Sequence, residues 1–388
     1  MTPPVLPSRN RTIKGALRPN SHLPLLWQLA ITAFAAAGLA GWLAWEAGYR
    51  PPVEARWTEA HAALGQHAGF DYQLFVIAKV LPAALVALFV VIAAAAAPRK
   101  RSLPAAVIAG VVVMVTMFLA WGTIGSPWAI GPVMAVVIAL GPLARRHGGA
   151  IAGLAPIIAV AYFFFAVWGL AKGLDPVGIF VQAGIGVGAA AAVLIALWLV
   201  RVTLGLEFIK HPPQRAREGT PPPFLSGGLA MRQALVAGGL VGAAAGLYAA
   251  TRDHNVFWAM VSIWAVMQAT PDASFNRGIK RGCGVMAGCV LIAGIAQVAS
   301  PRVVVWIGVG TLFLGVMWYL RNYAVYIAGI SMLTVALHGN LEDLDFIHWA
   351  LLRVGDTIVG LAIGFAAYWL VVSLPEERKA RREGIART

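Results

Sequence analysis

The chain has 388 residues, 60% of them hydrophobic and only 12% charged, and its mean hydropathy of +0.76 lies far above that of a water-soluble domain of this size. That composition excludes a soluble catalytic core. The formal net charge is +14, but the basic residues are scattered as small clusters between apolar stretches, not gathered into a patch for nucleic acid.

A hydrocarbon core about 30 Å thick needs roughly 20 helical residues. Windows of that kind fall near 25–45, 73–97, 103–121, 127–143, 150–171, 178–200, 229–251, 255–271, 281–299, 303–319, 322–338 and 347–373. The expected fold is an all-α integral membrane protein of about 12 transmembrane helices. The basic start (Arg9, Arg11, Lys14, Arg18) runs into the first window without the short apolar region and cleavage site of a signal peptide.

Sidedness follows from Lys and Arg, which are retained in the cytoplasm during insertion. With the amino terminus inside, 23 of the 30 basic residues fall on inner segments and five outside (Arg50, Arg56, Lys172, Arg252, Arg302), leaving Lys79 and Arg353 within spans. Glu46, Glu54, Glu59, Asp71, Asp175, Asp253, Glu342, Asp343 and Asp345 all lie outside. The expectation is a multi-pass protein of the plasma (inner) membrane with both termini cytoplasmic.

The two halves resemble one another. Gln28 to Ala44 matches Gln233 to Ala249, and Gln182-Ala183-Gly184 leading to Trp198-Leu199-Val200 matches Arg353-Val354-Gly355 leading to Trp369-Leu370-Val371. Six spans is an even number, so the two repeats are parallel, related by a pseudo-twofold along the membrane normal. The expected organisation is a basic amino-terminal segment 1–24, a first six-helix repeat 25–200, a Pro-rich cytoplasmic linker 201–228, a second repeat 229–373 and a basic tail 374–388.

In so apolar a chain the informative residues are the polar ones that hydrocarbon rejects. Asp356 stands about 15 Å into the last span, and Arg353, three residues before it, is its helical neighbour. An isolated charge at that depth costs about 2.5–3.5 kcal/mol, so these two face each other or a polar cavity. As functional groups, Asp356 is a proton acceptor and Arg353 an anion-binding cation; as structural ones, they form an ion pair that locks the helix. Lys79 lies about 10 Å below the outer surface, within reach of water by snorkelling. Gln182 occupies in the first half the place of Arg353 in the second, which has both spans lining a common centre, or else bonds a neighbouring helix. Trp258, Trp264 and Tyr326 lie deep enough to stack on an aromatic ligand, whereas Trp42, Trp45, Trp168 and Trp369 sit at span ends as an interfacial belt. Gly184 with Gly188 and Gly284 with Gly288 have the spacing of close helix packing. Cys283 and Cys289, six apart, fall on different faces and read as small core residues. There is no phosphate-binding glycine loop, no His-rich metal spacing and no nucleophile arrangement, so no cofactor or enzymatic activity is expected and an ATP-driven pump would need a separate subunit.

The second half also carries a motif block: Phe257-Trp258-Ala259 through Val266-Met267-Gln268-Ala269-Thr270-Pro271, then Arg277, Lys280-Arg281-Gly282, Gly284 and Gly288. Together with Asn322-Tyr323-Ala324 and with Arg353, Asp356, Thr357 and Gly360, it resembles the fusaric acid resistance and aromatic acid exporter families over about 229–373. Ser262 stands where a threonine is often seen, Gly282-Cys283 replaces a Gly-Thr, and a short linker stands where many members have a large cytoplasmic domain. The resemblance implies export of aromatic carboxylic acids driven by the proton gradient, with Gln268, Pro271, Arg277 and Arg281 as the cytoplasmic motif. Arg353, with Lys79, would draw the carboxylate and Asp356 would carry the proton, while the basic loop Arg277 to Arg281 concentrates anions at the inner face. Expected partners are a small organic anion, protons and lipid, with a homo-oligomer or a periplasmic accessory protein besides. The alternatives are an anion channel and a non-transporting subunit of an envelope-assembly complex. A major facilitator fold is disfavoured, because Pro98-Arg99-Lys100-Arg101-Ser102 lacks the Gly and Asp of that family's loop.

Overall fold

The computed structural model describes residues 27–49, 68–96, 102–147, 149–167, 169–170, 174–204, 227–251, 253–267, 271–319, 321–341 and 345–370. The basic segment 1–24, His61 and His67, Arg99 to Arg101, Gln268, the prolines of the linker and the tail 374–388 lie outside the described residues. Those described form helices: α1 (Trp27–Ala44), α2 (Ala68–Ala96), α3 (Ser102–Thr123), α4 (Pro127–His147), α5 (Gly149–Tyr162), α6 (Pro176–Leu204), α7 (Gly227–Thr251), α8 (His254–Val266), α9 (Pro271–Ala296), α10 (Pro301–Trp318), α11 (Tyr323–Leu341) and α12 (Phe346–Tyr368). Among the described residues, eight helices are long and apolar enough to cross a membrane; Val80–Ala95, Leu154–Val167, Asn255–Val266 and Tyr323–Gly339 are shorter apolar stretches.

The described chain divides into two compact units, one of residues 27–130 and 153–204 and the other of 131–152 and 227–370. In the first, α2 packs on α1, α3 and α6, and α1 also packs on α6. The buried faces are made of small residues: Ala30, Ala33, Ala36, Ala40 and Ala44 on α1, and Ala106, Ala109 and Gly110 on α3. The larger Leu103, Val107, Val111 and Val115, at a spacing of four, are all exposed. This inversion suits lipid, where apolar bulk gains nothing by burial and helices associate by close approach of their backbones.

Pro82 lies inside α2, where it removes one backbone donor and its ring pushes on the preceding turn. The repair comes from α6: the N–H of Ala83 donates to Oε1 of the fully buried Gln182 at 3.0 Å. One turn along α6, a Cβ on Gly186 would lie 2.6 Å from both the Ala83 carbonyl oxygen and Val86 Cβ, so only glycine fits. The expected pair Gly184 and Gly188 is corrected here, since a Cβ on either meets nothing within 4 Å. Gly186 shares the Gln182 face at i+4, whereas Gly184 and Gly188 do not. Gln182→Leu, which leaves the Ala83 N–H unpartnered in a dry interface, is expected to destabilise this unit by about 1–3 kcal/mol. A thermal unfolding midpoint in detergent equal to that of the parent protein would discount that role.

In the second unit, Gly284 and Gly288 bring α9 against Ala324 and Ala328 of α11; Gly308 and Gly315 bring α10 against α11; Gly360 and Gly364 bring α12 against α8. Acids expected in outer loops act as caps: Asp253 accepts from the Asn255 N–H and Asp345 from the His348 N–H. Two span boundaries move. α8 ends at Val266, where the Met267 N–H turns back to the Trp264 carbonyl. Pro271, expected to stop that span, instead opens α9, as proline favours the first helical position. The segment Arg277 to Arg281, expected to be an inner loop, is therefore helical, and Arg281 is only 3% exposed.

Candidate functional site

The buried face of α12 consists of Phe346, Ala350, Arg353, Thr357, Gly360, Gly364 and Tyr368. Spacings of three and four put them on one stripe, so Arg353 belongs to the packing surface. Below it the two glycines admit the α8 backbone: a Cβ on Gly360 would run into the Ala259 carbonyl and come within 2.7 Å of Ser262 Cβ. The close approach holds α8 where Trp258 meets the arginine. Arg353 is 3% exposed and its Cζ lies 3.4 Å from the centroid of the Trp258 ring, a desolvated cation–π contact. Phe257 meets Trp258 edge-on at 4.5 Å, and the His338 ring lies 6.1 Å from it. Thr357 Oγ1 donates to the Arg353 carbonyl at 2.8 Å, and Ser262 Oγ to the Trp258 carbonyl at 3.0 Å.

Nε and Nη1 of Arg353 have no hydrogen-bond partner, and neither has Oδ2 of Asp356. Asp356 is half-buried, in an open groove lined by Asn255, Ala259, His348, Leu352 and Gly355 among others. Arg353 thus turns inward to Trp258, while Asp356 faces the groove between α8 and α12. Among the described residues no hydrogen bond joins the two side chains. The aromatic face of Trp258, not the carboxylate one turn away, fixes the guanidinium.

A second basic cluster lies on α9. Arg277 Cζ stands 3.9 Å from the Tyr323 ring centroid, and the Arg281 Nε donates to Ser262 Oγ at 3.1 Å. Tyr326 belongs with these residues and not with Arg353: its ring lies 4.9 Å from Tyr319 and 6.0 Å from Tyr323. Asn322 accepts from the Ala324 N–H at 3.0 Å and so caps α11, setting Tyr323 at the first helical position beside Arg277.

Other expected site residues fall elsewhere. Trp264 is partly buried on α8, six residues from Trp258 and so well round the helix from it. Lys79 lies on α2, with its side chain outside the described residues, as is that of Pro271. Gln182 bonds α2 within the other unit. Tyr323 and Ser262 stand in the motif block with no role evident from sequence, and Tyr319 lies outside it. One signal was available: the tyrosines are four apart, as are Arg277 and Arg281, a spacing that lets two helix faces meet pair to pair.

The helices define a multi-pass integral membrane protein of all-helical construction. The family model described as fusaric acid resistance protein-like matches residues 236–367. The match runs from α7 to α12, takes in Trp258, Arg277, Arg281, Arg353 and Asp356, and bears out the resemblance read from the second half. No curated protein and no solved structure matches the chain.

Proposed function

We propose that this protein is a secondary transporter of the inner membrane that exports small organic anions, aromatic carboxylates above all, in exchange for protons. The observation that carries the reading is Arg353: a guanidinium 3% exposed in a membrane helix, stacked on Trp258, with two nitrogens unpartnered. A buried cation without hydrogen bonds is costly, and an arriving carboxylate supplies both the countercharge and the acceptors. Asp356, one turn away in the groove, takes a proton from outside and releases it inside as the protein alternates between its two states. Trp258 would hold the ring, and Gln268, Pro271, Arg277 and Arg281 mark the cytoplasmic entrance.

The architecture proposed for this is twelve spans in two parallel repeats, 25–200 and 229–373, joined by the linker 201–228 and flanked by cytoplasmic segments 1–24 and 374–388. Two internal parallels support it. The contacts of α1 with α2, α2 with α6, and α2 with α3 recur as α7 with α8, α8 with α12, and α8 with α9. The buried residues Ile179, Gln182, Gly186 and Ala189 of α6 correspond, at the spacing of the sequence match, to buried Ala350, Arg353, Thr357 and Gly360 of α12.

Everted membrane vesicles test the coupling. With an acid interior, labelled benzoate is expected to accumulate, accumulation is expected to collapse with a protonophore, and Asp356→Asn is expected to make uptake indifferent to the gradient. Uptake that ignores the gradient in the parent protein, or that Asp356→Asn leaves unchanged, rejects proton exchange. Fluxes beyond what an alternating carrier sustains would move the protein to the channels.

A further inference from the structure

We propose that Arg277 and Arg281, framed by Ser262 and the tyrosines 319, 323 and 326, form a second oxyanion site adjoining that of Arg353, one that takes a carboxylate or phosphate borne on an apolar or flat body. The two arginines are four apart on α9 and so stand one above the other on the same face. Arg281 is 3% exposed; its Nε is engaged by Ser262 Oγ while its Nη2 has no partner. Ser262 is itself fully buried and spends its proton on the Trp258 carbonyl, so its oxygen acts as an acceptor that orients the guanidinium. The Nε of Arg277 is likewise buried and unpartnered.

No carboxylate neutralises this pair among the described side chains. Of the acids described in this unit, Asp253 and Asp345 cap helix N-termini and Asp356 lies in the groove beside α8. Two guanidinium groups one turn apart repel one another, and in a low-dielectric setting that repulsion is poorly screened. An oxyanion set between them removes it and satisfies the open donors, a geometry in which arginine excels. The aromatic wall adds selectivity. Tyr319 and Tyr326 meet edge-to-face at 4.9 Å, Tyr323 lies under Arg277, and the Tyr319 and Tyr323 hydroxyls reach the guanidinium groups, giving ring surface with polar tips beside the charge. The wall is rigid, because Gly284 and Gly288 seat α9 directly on the backbone of α11 at Ala324 and Ala328.

The same chemistry fits a soluble aromatic carboxylate and an anionic lipid headgroup, which basic pockets between membrane helices also hold. The site stands apart from proton coupling, because its occupancy is read at equilibrium with no gradient. The full chain is reconstituted in phosphatidylcholine nanodiscs, and binding of benzoate and of sulfate is measured by calorimetry in the Arg353→Met background. Benzoate is expected still to bind there, and adding Arg281→Met is expected to weaken it at least tenfold. Arg277→Gln, at a partly exposed position that leaves folding intact, is expected to weaken both probes at least fivefold, and Tyr323→Ala to weaken benzoate more than sulfate. Phosphatidylglycerol that displaces benzoate supports the site and assigns it to a headgroup; failure to displace supports it and assigns it to a soluble anion. Affinities unchanged within twofold by Arg281→Met and Arg277→Gln overturn the proposal, as does loss of all binding, lipid included, on Arg353→Met alone. A protein that passes this test yet fails the vesicle experiment keeps the site and loses the coupling.

Discussion

Arg353→Met is expected to leave a folded protein that no longer transports. Methionine is flexible, of similar volume and uncharged, so it can pack beside Trp258 while removing a guanidinium whose Nε and Nη1 lack partners. Replacing buried ionic groups by apolar ones of similar volume is often neutral or stabilising, so the unfolding temperature should hold or rise. Transport should fall by about two orders of magnitude, the scale of losing a buried charge contact of about 3 kcal/mol. Arg353→Lys should recover little, because an ammonium reproduces neither the planar stack nor the several donors. Uptake per folded molecule in vesicles, set beside thermal unfolding of the same preparations, checks both halves. If unfolding drops sharply and transport per folded molecule survives, Arg353 is a packing element and nothing more.

Gly360→Val should do the reverse. Its Cβ would strike the Ala259 carbonyl and stand 2.7 Å from Ser262 Cβ. Overpacking of this kind costs about 3 kcal/mol or more when rigid backbone is struck, and here it also lifts Trp258 off the arginine. The expected result is a large loss of thermal stability and of monodisperse protein in detergent, with Gly355→Ala as a near-silent control because a Cβ there meets nothing within 4 Å. Equal unfolding temperatures for Gly360→Val and the parent chain would mean that α8 and α12 are not tightly apposed.

These two residues mark how far the sequence could be read. Helices were legible wherever an apolar run was long, as in Ser102–Thr123 or Pro176–Leu204, because only an internally bonded backbone survives in hydrocarbon. The start of α9 was not, since Asn276, Arg277, Lys280 and Arg281 read as a polar loop; long stems that lay their charge against tyrosine rings let such residues continue a helix. Arg353 and Asp356 were conspicuous by depth. Their separation was not legible, because periodicity gives a face but not which neighbour a flexible side chain selects. Glycine spacing gives the contact at Gly284 and Gly288 but not at Gly184 and Gly188, where it falls on Gly186: only the partner helix decides which turn it touches.

The length of α9 carries its own consequence. At 26 residues it extends about 39 Å, against a hydrocarbon core of about 30 Å, so it must either lean or project beyond the acyl region. Arg277 lies in its second turn and Arg281 in its third, and lipids of different chain length would set how far this end of the helix stands from the headgroups. Membrane thickness is therefore a variable to which this protein should respond, with short-chain and long-chain bilayers giving different affinities for the same anion.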